Sequence, residues 1–431
     1  MKLLLKNAYL IDPVQDHVKL GYLSIQDGKI SDIVYDNANI NHKLFDNVID
    51  CAGKYLAPGI VDVGVKICEP GERHKESFRT ASLAAAAGGV TTMVTRPDTI
   101  PAIDTPEKLE FVINRANTVS PVNIYPMAAL TCGRVGLEMT ELGFLHDAGA
   151  VGFTDCDQVI TNNKIMSRCL TYAASLDLLV QGHPQDSTLT MGASATSGKF
   201  SSLKGLPAVN PIAEKMGVER DLALVELTGV KYHFDQLSTA LALEPLRRAK
   251  SNGLDVTAGV SIHHLTLNEM DIGDYRTFFK IKPPLRSESD RVAMVEAIAD
   301  GTIDIISSMH TPQDEESKRL PYEEAASGAV GLETILSASL QLFHNGSISL
   351  PQLFRALSLN PAKRFNLPGG TLELESQADL VLFDPDAPFV LNRFALNSKS
   401  KNTPYDETLM QGKVIKTFVN GYEVFGDSLG E

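Results

Sequence analysis

The stretch Gly59–Val94, GIVDVGVKICEPGERHKESFRTASLAAAAGGVTTMV, decides the fold. Two short apolar runs, Gly59–Val65 and Thr91–Val94, bracket a polar turn and a segment of helical texture. Runs of this length, bounded by turn residues and rich in valine, read as strands buried on both faces, as parallel sheets require. The same alternation continues along the chain at Val122–Met127, Val151–Phe153, Leu178–Val180, Tyr232–Leu237, Val256–Val260 and Ile303–Ile306, making eight strands. Helix punctuation lies between them. Thr105-Pro106 sets an N-cap with proline at the first helical position. Ser287 precedes a helix that Asp300-Gly301 closes. The sequence therefore predicts an α/β fold of eight βα units closed into a parallel TIM-type (β/α)8 barrel over residues 56–367, with chemistry on the loops that follow the strands. Thr188–Leu206, rich in Gly, Ser and Thr, reads as the longest loop.

Both ends of the chain have a different texture. Leu3–Leu5, Tyr22–Ile25 and Ile30–Tyr35 are β-rich, and Asp27-Gly28 is a hairpin signal. Ala378–Phe383 and Val414–Val419 repeat that texture near the C-terminus, the second ending at Asn420-Gly421. Residues 1–55 and 368–431 are thus expected to form one composite β domain.

Composition excludes several function classes. Of 431 residues, 43% are hydrophobic and 21% charged, enough to bury a large core and too apolar for a disordered chain. The formal charge is −14 and no basic cluster appears, so nucleic acid is not an expected partner. No run of 18 apolar residues predicts a membrane span. Five scattered cysteines without a CxxC pair, and no signal-peptide core near Met1, fit reduced thiols in a cytoplasmic protein.

The motifs Pro58-Gly59-Ile60-Val61-Asp62, Glu69-Pro70-Gly71, Ala84–Val94, Gly152-Phe153-Thr154-Asp155, Leu237-Ser238-Thr239, His263-His264-Leu265, Pro283-Pro284-Leu285-Arg286, Gly301-Thr302-Ile303-Asp304 and Asn402-Thr403-Pro404 closely resemble those of dihydroorotases of the amidohydrolase superfamily. The likeness is collinear over nearly the whole chain, and Ala378-Asp379-Leu380-Val381 resembles the family's returning β-sandwich strand. It implies a barrel carrying a small β-sandwich, and an activity that interconverts carbamoyl aspartate and dihydroorotate. That reaction uses zinc to polarise an amide and to make hydroxide near neutral pH. The family supplies its ligands from His-x-His after the first strand, a carboxylate near the fourth, a histidine after each of the fifth and sixth, and an aspartate after the eighth that also shuttles the proton.

At most of these positions the chain departs from the pattern. The His-x-His slot is Gly64-Val65-Lys66. Asp155 and His183 remain, but the sixth-strand histidine is Gln236 and the catalytic aspartate is Met309. Two ligand-capable side chains do not make a tight zinc site. Substrate positions change as well. The carboxylate-clamping arginine is Cys68, two asparagines are Asp98 and Lys282, and a histidine is Gln313. Asp98 places negative charge where an anionic substrate would lie. Lys66 either pairs with Asp155, replacing the charge of zinc, or packs its stem and sends its head to solvent. Met309 reads as an apolar plug, and Cys68 as a buried, inert thiol. His263 and His264, with His310, offer a relocated metal site only if two adjacent histidines face one ion, which strand geometry opposes. Arg286, Asp290 and Arg291 read as structural ion-pairing residues.

The resemblance is strongest to the non-catalytic dihydroorotase homologues that some bacterial aspartate transcarbamoylases take as assembly partners. It implies a structural subunit of pyrimidine biosynthesis, a homo- or hetero-oligomer without cofactor whose partner is the transferase catalytic chain. The competing expectation is an active, zinc-dependent cyclic amidohydrolase with an atypical metal site.

Overall fold

A computed structural model describes residues 2–35 and 44–426. The strands are β1 (Lys2–Asp12), β2 (His17–Gln26), β3 (Lys29–Tyr35), β4 (Asn47–Asp50), β5 (Tyr55–Pro58), β6 (Ile60–Val65), β7 (Val90–Thr95), β8 (Asn123–Pro126), β9 (Leu179–Gly182), β10 (Ala195–Thr196), β11 (Ala208–Val209), β12 (Lys231–Phe234), β13 (Val256–Ser261), β14 (Ile305–Ser307), β15 (Leu380–Val390), β16 (Leu409–Val419) and β17 (Tyr422–Gly426).

The central α/β array follows the alternation of apolar runs and helices. Strands β6, β7 and β8 pair in parallel, as do β9, β12, β13 and β14. The expected strand Val151–Phe153 is reduced to single bridges, Ala128↔Phe153 and Phe153↔Val180. It still joins the two sheets, since Thr154 N donates to Ala128 O at 2.9 Å and Gln181 N to Phe153 O at 2.8 Å. At the other side Lys66 N donates to His310 O at 2.9 Å. Ser308 N donates to Asp62 Oδ1 at 2.8 Å, binding the loop after β14 to β6. The apolar runs are buried on both faces, as their valine-rich sequences demand: every residue of β6 and β7 is buried.

The helices follow their sequence punctuation. Pro106–Val119 starts at Thr105 with proline at its first position, although the Thr105 side chain makes no capping bond. Glu288–Ala299 starts at Ser287, whose Oγ accepts from Asp290 N. Thr188–Leu206 is not the open loop its composition suggests. It holds most of the helix Ser187–Thr190, strand β10 and the helix Lys199–Lys204, and β10 pairs in parallel with β11. Short polar residues cap these turns, as when Asp186 accepts from Thr188 N and Leu189 N.

The two ends of the chain meet in one sheet of eight strands, ordered β17-β16-β15-β5-β1-β2-β3 with β4 on β1. Asp27-Gly28 and Asn420-Gly421 turn its hairpins with positive φ at both residues, the geometry that two-residue turns require. A separate core of Leu3, Leu5, Leu10, Leu23, Leu56, Leu380 and Phe418, among others, lies on this sheet. The expected division between residues 55 and 56 falls inside β5, because Tyr55–Pro58 pairs with β15 and Tyr55-Leu56 with β1. No helix among the described residues is long and apolar enough to cross a membrane.

Candidate functional site

The C-terminal ends of the parallel strands gather the residues singled out in the sequence. Gly64, at φ +83°, leaves room that its neighbours fill: a side chain begun there would meet Met309 Sδ at 3.1 Å and Asp235 Oδ1 at 3.6 Å. Met309 is 6% exposed, and its sulfur fills the space beside Gly64. Asp155 is buried, and its oxygens are taken. Oδ1 accepts from Leu130 N and Thr131 N, each at 3.0 Å, and Oδ2 from Thr131 Oγ1. Burial outweighs these bonds and raises its pKa above the ordinary carboxylate value. His183 is buried, and neither ring nitrogen has a hydrogen-bond partner. Its Nδ1 lies 3.7 Å from Asp235 Oδ2.

Lys66 does not pair with Asp155. Its Nζ lies 3.2 Å from Asp98 Oδ2 and 3.9 Å from Glu72 Oε2. The pairing with Asp155 failed because that carboxylate turns to the loop after β8, where the buried N–H groups of Leu130 and Thr131 need an acceptor. Nor is Asp98 a bare negative charge facing the mouth. Arg96 donates to its Oδ2 at 2.8 Å, and Lys66 completes the pair. Burial raises the Asp98 pKa, but Arg96 and then Lys66 outweigh it and hold the carboxyl below its usual value. A second carboxylate, Asp157, continues the network: Arg96 Nη2 at 3.7 Å, Arg134 Nη2 at 3.1 Å and Lys282 Nζ at 3.2 Å surround it. Burial opposes its charge, yet Arg96, Lys282, His183 and Arg134 hold its pKa well down. Four side-chain cations, the buried carboxylate of Asp98 and the partly exposed one of Asp157 thus occupy the mouth.

The remaining positions turn away from a common centre. Gln236 donates to Lys282 O at 3.1 Å, while Asp235, one residue earlier, faces Gln181 Nε2 at 3.0 Å. Both residues lie just beyond the end of β12, where the chain bends and sends the two side chains to different partners. Gln313 donates to Ser327 O at 2.8 Å. Cys68 is 1% exposed, and burial pushes its thiol up to about 12. His263 and His264 open a short helix, Ile262–Thr266, rather than extending β13. His264 Nε2 contacts Pro284 O at 3.3 Å, and the His263 ring lies 5.7 Å from Tyr405. Burial pushes both down to about 3. His310 Nε2 lies 3.5 Å from Glu76 Oε2. Arg286 pairs with Glu214 at 3.4 Å and Arg291 with Glu288 at 2.6 Å. Asp290 instead accepts from Ala240 N and Ser287 Oγ.

A family profile described as dihydro-orotase-like matches residues 53–241. Over 425 residues, 99% of each chain, the protein is 37% identical to the dihydroorotase of Syntrophus aciditrophicus. It is 39% identical to that of Ehrlichia canis over 417 residues, 96% of this chain and 93% of the other. The chain belongs to the dihydroorotase family. Among solved structures, the L-hydantoinase (dihydropyrimidinase) of Arthrobacter aurescens superposes with a TM-score of 0.89 at 25% identity, covering 100% of this chain and 97% of the other.

Measured against the dihydroorotase ligand set, the residues present do not fit zinc. Gly64 brings no donor and Lys66 brings a cation. Gln236 is turned aside, Met309 is a soft thioether, and Asp155 is fully engaged. Among the described residues no three His, Cys, Asp or Glu side chains converge as a metal-binding group. Arg96, Arg134, Asp157 and Asp235, which define the mouth of this dihydroorotase relative, escaped the sequence reading. The available signal was Arg96-Pro97-Asp98 directly after an apolar strand, where a charged pair has no place in a core.

Proposed function

We propose that this dihydroorotase-family chain does not catalyse the ring hydrolysis, and that it serves pyrimidine biosynthesis as a structural subunit holding an aspartate transcarbamoylase catalytic chain in its working assembly. On this reading the parallel array is a closed (β/α)8 barrel, and the sheet shared by the two termini is the family's small sandwich domain. One observation carries the proposal: Lys66, in the slot where the family resemblance puts a metal-binding imidazole, holds its ammonium in an ion-pair network with Asp98, Arg96 and Asp157. An ammonium held 3.2 Å from a buried carboxylate supplies positive charge but neither polarises a carbonyl as a Lewis acid nor acidifies water. What selects for such a fold is then a surface rather than a pocket, and a stable surface of this kind buries at least ~1,000 Å².

Two experiments test this reading. Co-expression with the cognate transferase should yield a complex that co-elutes on size exclusion; separate migration at micromolar concentration overturns the structural role. Metal analysis of the purified chain, paired with a dihydroorotate hydrolysis assay, should show neither stoichiometric zinc nor turnover. Zinc with turnover would instead support an active cyclic amidohydrolase, the reading favoured by the names of its relatives.

A further inference from the structure

A second basic cluster lies outside the mouth network, around a cavity of about 230 Å³ lined by His74, Gln313, Lys318, Arg393, Lys399 and Lys401. It forms where the loop after β6, the loop after β14 and the segment 393–402 meet. Its lysines are unusual in their partners. Lys318 is 3% exposed, and its Nζ donates only to backbone oxygens, Thr277 O at 3.0 Å and Lys280 O at 3.2 Å. Lys401 Nζ donates to Leu396 O and Ser398 O, each at 2.6 Å, and Lys399 Nζ to Arg73 O at 2.8 Å. Among the described residues none of the three forms a salt bridge. The two acidic residues on the wall are engaged elsewhere. Glu315 pairs with Arg319 at 2.7 Å, Asp314 Oδ1 accepts from Ser317 N at 2.8 Å while keeping its charge, and Arg393 is itself paired with Asp406 at 3.2 Å.

Carbonyl oxygens satisfy an ammonium's hydrogen bonds without cancelling its charge; none of the three lysines has a carboxylate in salt-bridge contact, although Lys401 lies in the field of Glu333, and of the three only Lys318 is buried. A buried charge without a counter-charge is costly. That cost shows at Lys318, whose pKa burial and then the neighbouring Lys280 push down to about 7. An anion entering the cavity would remove the cost. Gln313 Oε1, buried without a partner on the same wall, offers an acceptor for a ligand hydroxyl. Phosphate combines these demands: it carries multiple negative charge, accepts from several donors, and in its monohydrogen form donates one hydrogen bond.

We propose that the cavity framed by Lys318, Lys399, Lys401 and Arg393 is a binding site for a phosphate group, free or as the ester of a small molecule. The volume admits the phosphoryl group and a few further atoms, not a nucleotide. The cavity shares no residue with the Lys66–Asp98–Arg96–Asp157 network, although Gln313 is also a position the family resemblance assigns to substrate.

Calorimetric titration of the full-length protein with inorganic phosphate, and separately with glycerol phosphate, tests it against sodium chloride of equal ionic strength. Saturable binding of either is expected, and the tighter of the two identifies the free or esterified form. Lys399→Gln/Lys401→Gln should weaken that binding at least tenfold, the loss expected when charged hydrogen bonds are removed. Because that strap could be loosened by the change, a second readout uses the unaltered chain. Acetylation of Lys318, followed by mass spectrometry, should slow at least severalfold in saturating phosphate while the exposed Lys199 is unaffected. Absence of saturable heat with both compounds, or equal acetylation of Lys318 with and without phosphate, overturns the site.

Discussion

Replacing Lys66 with methionine tests whether its ammonium holds the mouth together. The stem keeps its volume and the charge is lost. At 3.2 Å and an effective dielectric constant of about 20, the attraction between Lys66 and Asp98 is ~5 kcal/mol before any cost is deducted. Two terms reduce it. Desolvation of a side chain only 17% exposed opposes the charge, and the Arg96 guanidinium repels it. Arg96 also remains on Asp98 in the variant, so the carboxylate is not orphaned. A net loss of about 1–2 kcal/mol is expected, well below the 3–5 kcal/mol typical when a buried pair loses its sole partner. In a chain of this size that lowers the thermal midpoint by about 2 °C. In an Asp98→Asn background, which itself costs Arg96 its nearest partner, Lys66→Met should cost less than in the native chain, and the double-mutant cycle should return a coupling of about 1 kcal/mol or more. The pH profile carries the sign. Asp98 has a folded pKa below its unfolded value, so its stabilisation is present above the ordinary carboxylate range and is lost as pH falls through the folded value. In Lys66→Met the acid-dependent loss from Asp98 should be smaller and complete at a higher pH, because its folded pKa moves up toward the unfolded one. An unchanged or raised midpoint for Lys66→Met, together with zero coupling, would refute the argument.

The remaining predictions concern other buried groups. Asp155→Ala leaves Leu130 N and Thr131 N buried without their acceptor and should cost about 2–3 kcal/mol, read by thermal or urea unfolding. Asp379, accepting from Asn420 N and Asn123 Nδ2, is pushed up to about 6 by burial. Its folded pKa exceeds the unfolded one, so its contribution favours the fold most at low pH and declines as pH rises through about 6; Asp379→Asn should flatten that part of a stability profile measured by differential scanning calorimetry. Iodoacetamide at mildly alkaline pH should label Cys132, which is partly exposed, well before Cys68, whose thiol is buried and pushed up to about 12; peptide mapping gives the order.

What the sequence conveyed was local. Valine-rich runs such as Gly59–Val65 place strands because burial on both faces leaves a continuous apolar pattern, and Asp27-Gly28 places a hairpin because its turn needs positive φ. Thr188–Leu206 misled because its small polar residues serve equally as loop and as cap, and only tertiary contact decides between them. Likewise, the substitutions at Gly64, Lys66, Gln236 and Met309 were readable one by one, but the partner of Lys66 was not. The choice of Asp98 over Asp155 depends on which carboxylate has backbone N–H groups to satisfy, and those belong to a loop some 25 residues away. Asp235 was missed for a similar reason: the bend just after β12, not residue type, decides which of two adjacent polar residues faces Gln181.

The charge that Lys66 contributes is made at the ribosome together with the rest of the chain. On the proposed reading it needs no uptake system, no delivery protein and no insertion step. Folding of this protein should therefore proceed alike in zinc-starved and zinc-replete medium.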